Sequence, residues 1–166
     1  MNKFLAALIT YLVISTSAYS APSGEKTTAS DGVKPATQFD IGKKFVSKAK
    51  KFEKSNKIKK AEKAYKKAIN SLLKYNGIYP GDPDTLNLLG FTHRKIGDYE
   101  NAEIYYSMGL EIDPKHIGIN EYMGELFVVT NRIEKARERL AVLADCKCKE
   151  YDELKQVIEG TKQSKY

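Results

Sequence analysis

The chain has 166 residues, with 28 Lys or Arg against 21 Asp or Glu for a net charge of +7, two histidines, two cysteines and no tryptophan. Neither His93 nor His116 has an acid and a nucleophile beside it in a recognisable motif, and no glycine-rich phosphate loop occurs. Catalysis is therefore not expected, no catalytic residue is assigned, and no cofactor is implied.

The chain opens Met1-Asn2-Lys3, continues as an uncharged apolar run from Phe4 to Ile14, and then turns small and polar through Pro22. A short positive start, an apolar core and small residues near a cleavage point are the parts of a secretory signal. Ala18 and Ser20 fit the −3 and −1 positions, so residues 1–20 read as a signal peptide cleaved after Ser20. The apolar run is shorter than the roughly 20 residues that span a bilayer, which argues against an uncleaved anchor. No cysteine follows it, which removes lipidation of a mature N-terminal cysteine. The mature chain is expected to be exported into an oxidising environment.

Residues 21–38 are poor in large apolar side chains and rich in Gly, Pro, Ser, Thr and Ala, so they read as a disordered linker that cannot repay its ordering entropy. About 120 residues remain, enough for one compact domain. Residues 39–160 show no long strand-like alternation and read as helix throughout, with 161–166 as a flexible tail.

A repeat organises this domain. Residues 83–116 align with 117–150, 34 residues each, placing Leu89-Gly90 on Met123-Gly124, His93 on Phe127, Ala102 on Ala136 and Tyr106 on Leu140. A first unit, 42–82, puts Phe45, Ala49, Phe52, Ala61, Tyr65 and Ala68 in the same slots and carries seven extra residues between Asn70 and Asp82. Each unit predicts a helix pair. Leu86, Leu89, Gly90 and His93 recur at helical spacing in one helix, and Ala102, Tyr105, Tyr106, Gly109 and Leu110 in the next. The small pairs Gly90 with Ala102, Gly124 with Ala136, and Ala49 with Ala61 are expected to bring the two backbones close. Asp82 followed by Pro83 predicts a helix start. Asn131 with Glu134 predicts a capping box, and Gly97 and Pro114 predict helix ends. After the third unit, Tyr151, Leu154, Val157 and Ile158 predict an amphipathic capping helix over 150–160, a lid for the end of the core.

These residues resemble the tetratricopeptide repeat, whose 34-residue unit orders a bulky residue, Leu, Gly and Tyr, then Ala, Phe, Ala and Pro. The second unit carries Leu86, Leu89, Gly90, Ala102, Tyr106, Gly109 and Pro114 in those slots, with His93 where Tyr is usual. The third departs at Asn120, Leu143 and Cys148, and the first at Lys48. The resemblance, to exported bacterial members of the family, implies an all-α fold. It would be an α-α superhelix, a right-handed solenoid of about three helix pairs with a capping helix. It also implies a non-enzymatic adaptor of the bacterial cell envelope, periplasmic, that binds a peptide segment or helix of another envelope protein. Its groove would be lined by the first helices: Val46, Lys50 and Glu53, then Asn87, Phe91 and Arg94, then Glu121, Glu125 and Val128. The set with which chaperone-binding members grip a terminal carboxylate is absent, because Val46 and Lys50 stand in place of its first Lys and Asn. That ligand is not expected.

Charge is uneven along the repeat. Residues 42–75 hold thirteen lysines and two acids, a net +11, whereas 83–116 are net −3 and 117–150 are neutral. Lys57, Lys59, Lys60, Lys63, Lys66 and Lys67 form a basic patch, which a solvated face explains as well as an anionic partner does. Export argues against nucleic acid, so the alternative is an anionic membrane surface or envelope polymer.

Cys146 and Cys148 are the only cysteines. A metal would need more ligands, and the nearest Met and His, Met123 and His116, are distant in sequence. A redox motif normally separates its cysteines by two residues, and two apart within a helix they would point to opposite sides. The resemblance places Cys148 where Pro ends the second helix, so 145–149 should be turn. There it implies a disulfide pinning the turn into the capping helix. Pairing with another chain, and service as a thiol or metal carrier, stay open. The identity of the partner and the oligomeric state are not written in the sequence.

Overall fold

Thr37 opens the fold. In the computed structural model, which describes residues 37–162, the Asp40 N–H donates to the Thr37 hydroxyl (3.1 Å) and the Thr37 N–H donates to the Asp40 carboxylate (3.1 Å). This capping box starts the first helix at Gln38. The expected signal peptide, nearly all of the expected linker and the last residues of the expected tail lie outside the described residues.

Seven helices follow among the described residues, with no strand: α1 (Gln38–Lys54), α2 (Ile58–Ile78), α3 (Pro83–Lys95), α4 (Tyr99–Ile112), α5 (Ile117–Val129), α6 (Ile133–Val142) and α7 (Lys149–Ile158). They pack as the pairs α1–α2, α3–α4 and α5–α6, each joined to the next, with α7 laid on α5 and α6. The fold is thus all-α, a helical-repeat superhelix. None of these helices is long and apolar enough to cross a membrane. The seven extra residues of the first unit lengthen a helix instead of forming a loop: α2 has 21 residues where α4 has 14, about two more turns.

The turn inside each pair is built the same way three times. Asn56, Gly97 and Asn131 have positive φ (52°, 83° and 57°). The N–H after each donates back across the helix end: Lys57 to Phe52 O (2.8 Å), Asp98 to His93 O (3.0 Å) and Arg132 to Phe127 O (2.7 Å). This is the Schellman closure, which favours Gly or Asn in the left-handed slot. Asn131 therefore ends α5 and does not cap α6. The N-cap of α6 is Arg132, with no side-chain cap bond, which corrects the expected Asn131–Glu134 box. The same residue type serves both roles, and a sequence pattern does not say which backbone conformation it holds. Nothing lies within 4 Å of a Cβ built on Gly97. Gly97→Ala should therefore lose about 1 kcal/mol for conformational reasons alone, readable by urea unfolding; an unchanged midpoint would refute the assignment.

Asp98 begins α4. Its carboxylate accepts from the Asn101 N–H (3.2 Å) and Nδ2 (2.8 Å) and faces His93 Nδ1 (2.8 Å). Burial works to raise its pKa, but the bonds from Asn101 and His93 outweigh this and leave it below the ordinary range. A carboxylate depressed by folding stabilises above its unfolded pKa, about 3.9. That stability is lost as the pH falls through the folded value. Asp98→Ala should lower the melting temperature at pH 7 and flatten the decline of stability below about pH 4. Parallel wild-type and variant curves across that range would count against it.

Two apolar clusters fill the stack. One centres on Ala49, Tyr65, Ala68, Leu72, Leu89 and Phe91, the other on Ala102, Tyr106, Ile119, Leu126, Phe127 and Ala136. The glycines meet larger side chains than the small partners expected of them. A Cβ on Gly90 would lie under 3.0 Å from the Tyr106 ring, and one on Gly124 under 3.0 Å from Leu154 of α7. The small residues make room for a buried ring and for the lid, because both side chains are fully buried and must enter the inner helix face. Leu154 and Val157 anchor α7, while Tyr151 and Ile158 are half-buried. The chain reaches α7 through a turn at 143–148, in which Cys146 and Cys148 are joined as a disulfide (Cα–Cα 5.1 Å) and Cys148 is the N-cap.

Candidate functional site

Of the nine expected groove residues on α1, α3 and α5, Lys50, Glu53, Phe91 and Glu121 line one hollow and Val46 and Lys50 an adjoining one, Arg94 pairs with Glu125, and Asn87 and Val128 line neither hollow. They form two layers. Val46, Phe91, Arg94, Glu121 and Glu125 are buried, Arg94 and Glu125 almost entirely. Lys50 is exposed, and Glu53, Asn87 and Val128 are half-buried. This second group is the more open to a partner.

The buried layer holds the helices together. Arg94 Nη1 donates to the Tyr122 carbonyl (2.6 Å) and lies 3.5 Å from Glu125 Oε2. Its guanidinium also sits 5.3 Å from the Tyr122 ring centroid. A charge of this kind tolerates burial only when paired and hydrogen-bonded. An aromatic row runs beside it, with Tyr65 and Phe91 centroids 6.0 Å apart and Phe91 and Tyr122 5.1 Å apart. At its α1 end the Tyr65 hydroxyl donates to Glu53 Oε2 (3.0 Å), and Lys95 Nζ holds Glu53 Oε1 (2.7 Å). Burial first, and then Glu53, push the Tyr65 hydroxyl well above the ordinary phenol range, so it remains a donor.

Above this layer the surface is concave. A pocket of about 320 Å³ is lined by Lys50, Glu53, Lys54, Phe91, Lys95, Glu121 and Tyr122, and is closed by Lys149, Glu150 and Glu153 from the first turns of α7. Lys50 Nζ lies 4.5 Å from the Phe91 centroid at its edge. The pocket adjoins a second hollow of about 420 Å³, floored by Val46 and Leu88 and edged by Lys43, Lys50, Lys51 and Lys54. Mixed charge thus meets a cationic trough with an apolar floor. Sequence reasoning did not find Lys54, Lys95, Tyr122 or the α7 residues. Lys54 and Lys95 were legible as helix-end lysines, but nothing local shows that the start of α7 reaches the mouth of this pocket.

The basic patch divides. All six lysines are exposed. Lys60, Lys63 and Lys67 line a separate slot of about 180 Å³ with Phe45, Lys48, Phe52 and Ala64, whereas Lys66 is bonded to Glu62 (2.6 Å). The histidines serve the fold. His93 joins Asp98 and lies against the Tyr105 ring (centroids 5.3 Å apart). His116 caps α5 by accepting from the Ile119 N–H (3.1 Å) and meets Asp84 (3.2 Å). Among the described residues no cluster of His, Cys, Asp and Glu could hold a metal ion.

Residues 83–116, the α3–α4 pair and its flanks, match the family model described as tetratricopeptide repeat. No curated protein matches the chain. Among solved structures the chain is similar to the TPR domain of Arabidopsis OM64, at 15% identity and a TM-score of 0.48 over 75% of this chain and 99% of that one. It is also similar to the second TPR domain of human RPAP3 in complex with an HSP70 peptide (18%, 0.48, covering 74% and 95%). The first TPR of Spaghetti (RPAP3), bound to an HSP90 peptide, is similar too (15%, 0.48, covering 75% and 96%).

Proposed function

Taking the chain as a member of the tetratricopeptide-repeat family, with its matched repeat at 83–116, we propose that it is a non-enzymatic adaptor that binds a segment of another protein on its concave face. The observation that carries this reading is the pocket between α1, α3, α5 and the start of α7, continuous with the lysine-edged trough of α1 and α3. An apolar floor with fixed charges around it suits a peptide or helix that inserts one apolar side chain and presents acidic ones. Lys50, Lys51 and Lys54 would make the first contacts, with Phe91 and Tyr122 beneath them.

The working compartment in this reading is the periplasm of a bacterial cell envelope. The signal-like residues 1–20 support export, and a disulfide between Cys146 and Cys148 suits an oxidising space. The partner is then an envelope protein.

A photoreactive residue placed at Lys50 or Lys51 in cells should trap one defined protein, and Lys54→Glu should reduce that capture several-fold while the chain stays folded. Failure to trap any protein from either position would overturn the concave site.

A further inference from the structure

The fold leaves two surfaces that the concave site does not use. One is the slot at the α1 end of the stack, where Phe45 and Phe52 form a half-buried floor and Lys48, Lys60, Lys63 and Lys67 stand exposed around it. Only α1 and α2 line it, and no carboxylate does. In the next unit the residues at the Phe45 and Lys48 positions are Leu86 and Leu89, both fully buried. The same repeat face is thus covered inside the stack and open at its end.

The other surface is the outer face of α4. Ile104, Met108 and Ile112, four apart, form one stripe with exposures of 49%, 41% and 53%. Residues at this spacing share a helix face. Exposed Glu100 and Glu111 lie beside it, and α4 contains no lysine or arginine.

We propose that these two surfaces dock on each other between copies of this chain, the α4 stripe of one copy entering the α1–α2 slot of the next. Their lengths agree: Lys60 to Lys67 spans about 10 Å of helix and Ile104 to Ile112 about 12 Å. Their charges are opposite, with four lysines around the slot and glutamates along the stripe. Lys48 Nζ and Lys67 Nζ lie over the Phe52 and Phe45 rings (5.8 and 5.7 Å to the centroids), and no carboxylate lines the slot to neutralise them. A flat anionic membrane is a poorer occupant, because lipid is entered by protruding apolar side chains and these phenyl rings are recessed between lysines. The contact joins unlike surfaces, so it is heterologous and each copy keeps one surface free to add another.

Sedimentation of the chain over a concentration series should show association on the order of 100 µM, weakened at least about tenfold by added salt. Lys60→Glu/Lys63→Glu should abolish it, as should Ile104→Glu/Met108→Glu. A mixture of these two variants should form a pair and stop there, since each supplies the surface that the other lacks. Adding Glu100→Lys/Glu111→Lys to the slot-reversed variant should restore association. The proposal is overturned if the wild type stays monomeric to about 1 mM or if association survives reversal of the slot. It is also overturned if the slot lysines are needed for binding phosphatidylglycerol vesicles while no self-association occurs.

Discussion

Arg94→Ala is expected to destabilise the chain by about 3–5 kcal/mol, because it leaves the Glu125 carboxylate in the interior with this cation removed. The Arg94 and Glu125 side chains are both fully buried, and Arg94 also donates to the Tyr122 carbonyl between α3 and α5. The double replacement Arg94→Met/Glu125→Leu should lose less than Arg94→Met alone, since an apolar pair of similar volume no longer carries a buried charge. Urea unfolding of the four corners of this cycle gives the coupling directly. If Arg94→Ala shifts stability by under about 1 kcal/mol, the pair does not hold the second and third units together. The same measurement separates this role from ligand binding: a residue buried to this degree should affect stability with no partner present.

Gly90→Ala should cost about 2–3 kcal/mol even though alanine is the better helix former by about 1 kcal/mol. Its methyl would come under 3.0 Å from three atoms of the Tyr106 ring, and that ring is fully buried. The ring has no solvent side to move toward, so α3 and α4 must separate. Gly90→Ala/Tyr106→Leu should recover part of the loss, because Leu already occupies the Tyr106 slot in the third unit as Leu140. A rise in melting temperature for Gly90→Ala alone would show that the helix pair has slack at this point. It would then remove the reason given for glycine there.

The repeat spacing made the helix pairs legible because a 34-residue period records which face of each helix must be apolar. Asp82 with Pro83, and Gly97, marked boundaries through local backbone chemistry that the structure retains. Asn131 was misread since asparagine suits both an N-cap and a left-handed helix end, and only the backbone chooses between them. Thr37 and Asp40 were passed over as linker and domain edge, though their spacing is that of a capping box. The candidate site was legible in part. Slot positions picked out residues of α1, α3 and α5, of which Val46, Lys50, Glu53, Phe91 and Glu121 line the two hollows, but a slot does not report depth. Arg94 and Glu125 read as groove contacts and are interior. Charged residues on an inner helix look alike in sequence whether they meet water or one another.

The amino-acid order by itself determined the all-α class, the number of helix pairs and the concentration of lysine in the first unit. These follow from periodicity, composition and the stereochemistry of neighbouring residues, all of which act over a few turns of chain. Only the tertiary structure decided that α7 closes one side of the concave pocket, that Glu53 joins Tyr65 to Lys95, and that Phe45 and Phe52 floor a lysine-edged slot between α1 and α2. Those facts depend on which distant faces meet and how deeply each side chain is buried when they do. Packing of the whole stack sets both.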